Sequence, residues 1–307
     1  MKSNEKTLRS YLIWAFALAW ALQALAVHFA LDGQPQLFRA ALALSMYAPF
    51  AAVLLARIPL RGMGWKPALR GKTRYFFAAW LGGAVLALLG GALYYLLFPG
   101  QFDPGAGAAL ATLGEEGLAQ LDAQGISPQL FILIQIGASL TYAPFINMFF
   151  ALGEEVGWRG ALYPMLRERC GVAKGRLLGG LIWGIWHWPV VILAGYNYGT
   201  QYWGAPVTGP LLFCLVTFCL GVLFDWLYEK THCIWIPALA HGAFNAVAGL
   251  PSLFLSVEAA PSALSGSASI DTAPSTLLGP TMIGLIAGLP MFLLAFLLWR
   301  RTDEKVD

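Results

Sequence analysis

Charge is what this sequence has least of. Of its 307 residues, 11% are charged and 58% hydrophobic, whereas an ordinary soluble domain is about a quarter charged. Together with a mean hydropathy of +0.65, this excludes a soluble globular domain and leaves a membrane protein. Histidine is also scarce, at 4 residues, so any histidine inside an apolar stretch stands out. Cysteine is limited to Cys170, Cys214, Cys219 and Cys233, with no CxxC pair, which supports neither a disulfide framework nor a thiolate metal site. The net charge is only +3, and no basic stripe is interleaved with aromatic residues, so no nucleic-acid partner is expected. The sequence also lacks internal repeats and an HExxH motif.

What the chain does contain is a series of apolar runs near the length of a helix that spans about 30 Å of hydrocarbon. They fall at 11–31, 38–58, 75–98, 129–152, 177–196, 207–228, 232–250 and 277–299. The runs are continuous, whereas barrel strands would alternate. This pattern predicts an all-α integral membrane protein, a bundle of about eight transmembrane helices enclosing an intramembrane cavity, with residues 1–307 as one membrane domain.

An even number of spans puts both termini on one side, and Lys and Arg mark that side as cytoplasmic. Every one of the 19 Lys and Arg except Arg39 lies in the termini or in 57–74, 159–176, 229–231 and 300–307. The basic segment 57–74 is expected to touch anionic lipid headgroups. The first run follows Lys2, Lys6 and Arg9 and contains Ala24-Leu25-Ala26, a signal-peptide pattern. Its apolar stretch exceeds a usual signal core, so an uncleaved first helix is expected. On the other side, 99–128 and the Ser/Ala/Pro-rich 251–276 form long loops, the second a flexible connection.

Against this background the stretch FFALGEEVGWRGALYP, residues 149–164, places three charged groups directly after an apolar run. On a helix Glu155 and Arg159 share a face and can pair, while Glu154 is rotated about 100° away. An ionisable group at bilayer depth costs at least about 2.5–3.5 kcal/mol and usually faces a bundle interior or a water-filled cavity. A second Glu pair, Glu115-Glu116 in LGEEGLAQ, lies outside the apolar runs and is followed by Ala119 and Gln120. That pair is expected on a solvated helix face.

His28 and His232 lie at run edges and are expected to be interfacial. His187, in LLGGLIWGIWHWPVVIL, and His241, in IWIPALAHGAFNAVAGL, lie about ten residues inside a span, roughly 15 Å from the basic face. Asn245 follows one turn after His241. Any one of these groups could be interhelical glue, but two histidines, an asparagine and a glutamate at matching depth on three helices indicate a site. For Glu154 to reach that depth, its helix must run past 152 to about Met165, with Pro144 breaking the run before it. Basic residues then suit the C-terminal end.

A carboxylate in a low-dielectric pocket is a competent general base near neutral pH. Glu154 could therefore take a proton from a water attacking a peptide carbonyl, with His187 holding that water. His241 and Asn245 could donate to the oxyanion, at roughly 3–4 kcal/mol for one good donor, with Glu155 and Arg159 in support. No serine or cysteine is placed as a nucleophile. Two His and a Glu plus water also match a catalytic zinc shell. Glu154, His187 and His241 are then the metal candidates, and the sequence leaves glutamate activation and Zn2+ both open.

The order EExxxR (Glu154, Glu155, Arg159), aromatic-xxx-His (Trp183 to His187) and His-xxx-Asn (His241 to Asn245) resembles the CPBP family. This family contains the type II CaaX prenyl endopeptidases and the bacterial Abi proteins of bacteriocin processing and self-immunity, over a core of about 129–250. The resemblance implies an eight-helix intramembrane protease, its members commonly labelled metalloproteases although a metal-free glutamate mechanism has been proposed. It implies that Glu154 activates water, Glu155 and Arg159 stabilise the arrangement, His187 assists, and His241 and Asn245 form the oxyanion site. The implied setting is a bacterial inner membrane, and the implied partners are membrane lipid and a membrane-associated or lipid-modified, CaaX-like polypeptide. Trp183 stands where the family usually has Phe, a departure expected to alter pocket shape before chemistry. Two other classes compete. One is a non-catalytic immunity or partner-binding membrane protein; the other is a proton-coupled transporter, which the absence of paired Gly/Pro-interrupted half-repeats disfavours.

Overall fold

The structure is a computed structural model describing residues 5–67, 70–260 and 277–301. Among these residues every regular element is helical, and an isolated antiparallel bridge joins Phe102 to Leu255. The helices are α1 (Glu5–Leu31), α2 (Pro35–Ser45), α3 (Ala48–Leu55), α4 (Thr73–Leu97), α5 (Gly107–Ala111), α6 (Gly114–Ala123), α7 (Pro128–Leu140), α8 (Ala143–Gly157), α9 (Tyr163–Trp186), α10 (Trp188–Leu193), α11 (Thr208–Thr231), α12 (Trp235–Val247) and α13 (Leu289–Arg300).

The all-α membrane architecture agrees with the sequence reading, but the eight apolar runs do not each form one uninterrupted helix. Among the described residues four helical stretches are long and apolar enough to cross a membrane: α1, α2 with α3, α4 and α11. Taking α7 with α8–α9, bent by 46°, as one broken span gives five. Proline and glycine account for the difference, because hydropathy does not register the breaks they impose. The run at 129–152 breaks between Leu140 and Ala143, with Pro144 in the first turn of α8. The run at 177–196 breaks at His187, and Pro189 opens α10. The run at 232–250 supplies only the 13 residues of α12, then enters a 3-10 turn containing Pro251. In the last run, helix begins only at Leu289.

The expected extension of the Glu154 helix past 152 to about Met165 is present. A π turn at Trp158–Leu162 joins α8 to α9 without a break, and helical geometry holds until Gly171, whose φ of 80° and ψ of 173° mark a kink. Two arginines flank that kink and reach the same acidic pair on α11. Arg167 binds Asp225 at 2.9 Å and Glu229 at 2.8 Å; Arg176 binds Asp225 at 2.7 Å and Glu229 at 2.6 Å. Arg176 and Asp225 are buried, so this four-membered network ties both sides of the kink to α11.

Small residues permit the closest helix crossings, as is usual in membrane bundles. α12 packs most heavily on α8, and α11 on α9. At Gly242 a Cβ would overlap the backbone of Met148 and Pro144; at Gly180 it would overlap the backbone of Phe218.

The basic segment expected only as a lipid anchor is also tied to the bundle. Lys72 Nζ donates to the Thr231 carbonyl at the end of α11 at 2.9 Å, Tyr228 Oη to Met63 O at 3.2 Å, and Trp235 Nε1 to Trp65 O at 3.0 Å. Of the 251–276 connection, residues 261–276 lie outside the described residues. The part before them is bound to the first outer segment through Ser256 N to Gln101 O at 2.8 Å and Asp103 N to Phe254 O at 2.8 Å.

Candidate functional site

The π turn, the close α8–α12 crossing and the second half of α9 bring the predicted residues together. Glu155 and Arg159 form the expected i,i+4 pair at 2.9 Å, both fully buried. The same Glu155 oxygen, Oε1, accepts from His241 Nδ1 on α12 at 2.9 Å, so α8 and α12 meet through one carboxylate. Arg159 Nη2 lies 3.5 Å from the Gly221 carbonyl. Its guanidinium sits 4.8 Å from the rings of Tyr163 and Trp183 and 5.2 Å from Phe224. Aromatic faces thus replace the water a buried cation has lost.

Glu154 points elsewhere, as its position on the helix requires. Its Oε2 accepts two indole N–H bonds, from Trp158 at 3.1 Å and Trp183 at 2.6 Å, and the carboxylate is 1% exposed. The partly buried His187 hydrogen-bonds through Nδ1 to the Trp183 carbonyl at 2.9 Å. A carbonyl only accepts, so Nδ1 carries the proton and the Nε2 of a neutral ring is left as an acceptor. Trp183 therefore bridges two predicted groups, its side chain donating to Glu154 and its backbone accepting from His187.

His241 is enclosed by aromatics, stacked on Phe224 at 5.6 Å and edge-on to Trp183 at 5.2 Å. Asn245, one turn further along α12, is exposed and makes no side-chain hydrogen bond with the other five. The remaining histidines lie apart from this group. His28 lies 3.4 Å from Asp32 at an exposed position, and His232 caps the end of α11 in a left-handed conformation at φ 51°.

Sequence reasoning missed the indole donors, which look like ordinary apolar residues. Trp158 is four residues after Glu154, the same spacing that identified Arg159 from Glu155, and that signal was available. Trp183, expected to alter pocket shape, also contacts a predicted site residue. Its departure from Phe places an N–H on Glu154 that phenylalanine would lack.

Among the described residues, no group of three His, Cys, Asp or Glu side chains is placed to hold a metal ion. Glu154, His187 and His241 do not form such a group in this arrangement. Glu154 Oε2 faces two indoles and His241 Nδ1 faces Glu155.

Residues 136–247 match the family model described as type II CAAX prenyl endopeptidase Rce1-like. The segment lies within the expected core and carries all six predicted residues. A protein of Methanococcus maripaludis described as CAAX prenyl protease 2 is 28% identical over 86 residues, 28% of this chain. The match spans about a third of that relative, 31% of its length. Three motifs, a family model and a curated relative converge, and the central segment of this chain is similar in sequence to the Rce1-like type II CAAX prenyl endopeptidases.

Proposed function

We propose that this protein is an intramembrane endopeptidase that hydrolyses peptide bonds of membrane-associated or lipid-modified polypeptides, with Glu154 as the base. The observation that carries this reading is the separation of two adjacent buried carboxylates: Glu155 is neutralised by Arg159 and bonded to His241, while Glu154 meets only neutral donors. A buried carboxylate without a cationic partner is the member of the pair free to act as a general base.

In this mechanism one water hydrogen goes to Glu154 Oε1 and the other is held by His187 Nε2. The water oxygen bonds to the substrate carbonyl carbon, and the carbonyl electrons move to its oxygen. His241 Nδ1 is bonded to Glu155, which fixes the ring so that its Nε2 edge is the one left to face the oxyanion. His241 and Asn245 then bind the oxyanion, at roughly 3–4 kcal/mol for one good donor. Collapse breaks the C–N bond, and the proton on Glu154 passes to the departing amine. Substrate entry requires the site to open, since Glu154 and His241 are buried. The clustering of Lys and Arg in the termini and in the segments assigned to their side supports a bacterial inner membrane with both termini cytoplasmic.

The test is cleavage of prenylated and unprenylated peptides ending in CaaX-like sequences by purified protein in vesicles. Turnover by wild type and none by Glu154→Ala supports the reading. Full turnover by the variant contradicts it. A partner-binding role is the second reading, favoured by the enclosure of the site, and would survive in Glu154→Ala.

A further inference from the structure

We infer that Trp158 and Trp183 are positioning residues for Glu154, selecting which of its two oxygens takes the proton; this rests on the reading of Glu154 as the base. A carboxylate oxygen has two in-plane lone pairs, and an indole N–H is a donor only. With Trp158 at 3.1 Å and Trp183 at 2.6 Å both on Oε2, both sites on that oxygen are taken. A proton arriving on Oε2 would have to displace one of these bonds. Proton acceptance is directed to Oε1, to which neither indole is bonded. The clamp also meets the hydrogen-bonding need of a buried carboxylate without adding a cation that would hold its charge permanently.

Both rings are themselves held. Trp158 is fully buried between Tyr11, at 6.4 Å, and Trp186, at 5.9 Å, edge-to-face with each. Trp183 packs on Phe224 and His241, under the Arg159 guanidinium. Its carbonyl accepts from His187, so one residue orients the base and the imidazole assigned to the water. Buried tryptophans that only filled space would need their N–H groups satisfied somewhere, but need not converge on one oxygen of Glu154, whose neighbour Glu155 is the one paired with Arg159.

The experiment combines kinetics with a measurement independent of turnover. Trp158→Phe and Trp183→Phe remove the donor and keep an aromatic ring. At position 183, benzothienylalanine keeps the full indole shape without the N–H, so a folding defect in the phenylalanine variant leaves the test intact. Loss of one hydrogen bond to a charged acceptor is expected to lower kcat roughly tenfold or more, with KM little changed. In protein labelled with 15N-tryptophan, Glu154→Ala is expected to move the indole N–H resonances of Trp158 and Trp183 upfield. The resonance of Trp203, which is 81% exposed, stays in place.

If neither resonance moves, the clamp is wrong whatever Glu154 does in catalysis. If the resonances move but all three tryptophan variants keep wild-type kcat while Glu154→Ala is inactive, the indoles do not position the base. If the resonances move and wild type cleaves none of the peptides, the reading of Glu154 as a base fails and the positioning role fails with it.

Discussion

Residues 114–116 and 153–155 both read Gly-Glu-Glu, and their surroundings could hardly differ more. Glu115 and Glu116 lie exposed in the first turn of α6, where negative charge suits a helix N-terminus. Glu154 and Glu155 are buried where α8 passes into its π turn. The decisive positions come four residues later. Ala119 and Gln120 offer the first pair nothing, whereas Trp158 and Arg159 supply an indole donor and a cation to the second. The rest comes from distant segments, with Trp183 and His241 completing the two carboxylates' partners. A paired carboxylate acquires a role from its neighbours along one helix and from the helices packed against it.

The sharpest way to break the comparison is to remove each carboxylate in turn. Glu154→Ala is expected to lower kcat by about 10²–10⁴-fold, while Glu115→Ala and Glu116→Ala change it by no more than about twofold; peptide cleavage in vesicles measures both. Stability should separate the two sites next. Arg159→Met leaves Glu155 buried without its cation and should cost about 3–5 kcal/mol, read by reversible unfolding in mixed micelles. A smaller effect is expected at the ionic network across Gly171. Asp225→Asn weakens bonds to two arginines at once and should cost about 1.5–3 kcal/mol in the same assay. Last, Ala119→Trp with Gln120→Arg copies the α8 spacing onto α6. Without counterparts of Trp183 and His241 facing it, the altered α6 should shift stability by no more than about 0.5 kcal/mol and restore no activity to Glu154→Ala.

Much of this was legible in the sequence. The apolar runs gave the all-α membrane class, and the need to place Glu154 at the depth of His187 and His241 gave the continuation of its helix past 152 to about Met165. The i,i+4 spacing gave the Glu155–Arg159 pair. Helix continuity was less legible, since Pro144, Pro189 and Pro251 divide or end runs that are uniformly apolar. The indole donors were hidden because tryptophan carries its one polar atom on a large apolar body. Arg167 and Arg176 read as positive-inside residues, yet Asp225 and Glu229 sit one turn apart at the end of the apolar α11. Acids in that position were the signal that some of the arginines face inward. Asn245 remains the residue whose role rests most on the motif, since it is exposed and apart from the hydrogen-bonded group.

The central claim is that the buried Glu154, and no other carboxylate of the two pairs, is the base for peptide hydrolysis. Its most direct test is single-turnover cleavage of one prenylated CaaX-like peptide by wild type, Glu154→Ala and Glu115→Ala, reconstituted side by side in the same vesicles. The account predicts cleavage by wild type and Glu115→Ala at matching rates and none by Glu154→Ala. Undiminished cleavage by Glu154→Ala would contradict it.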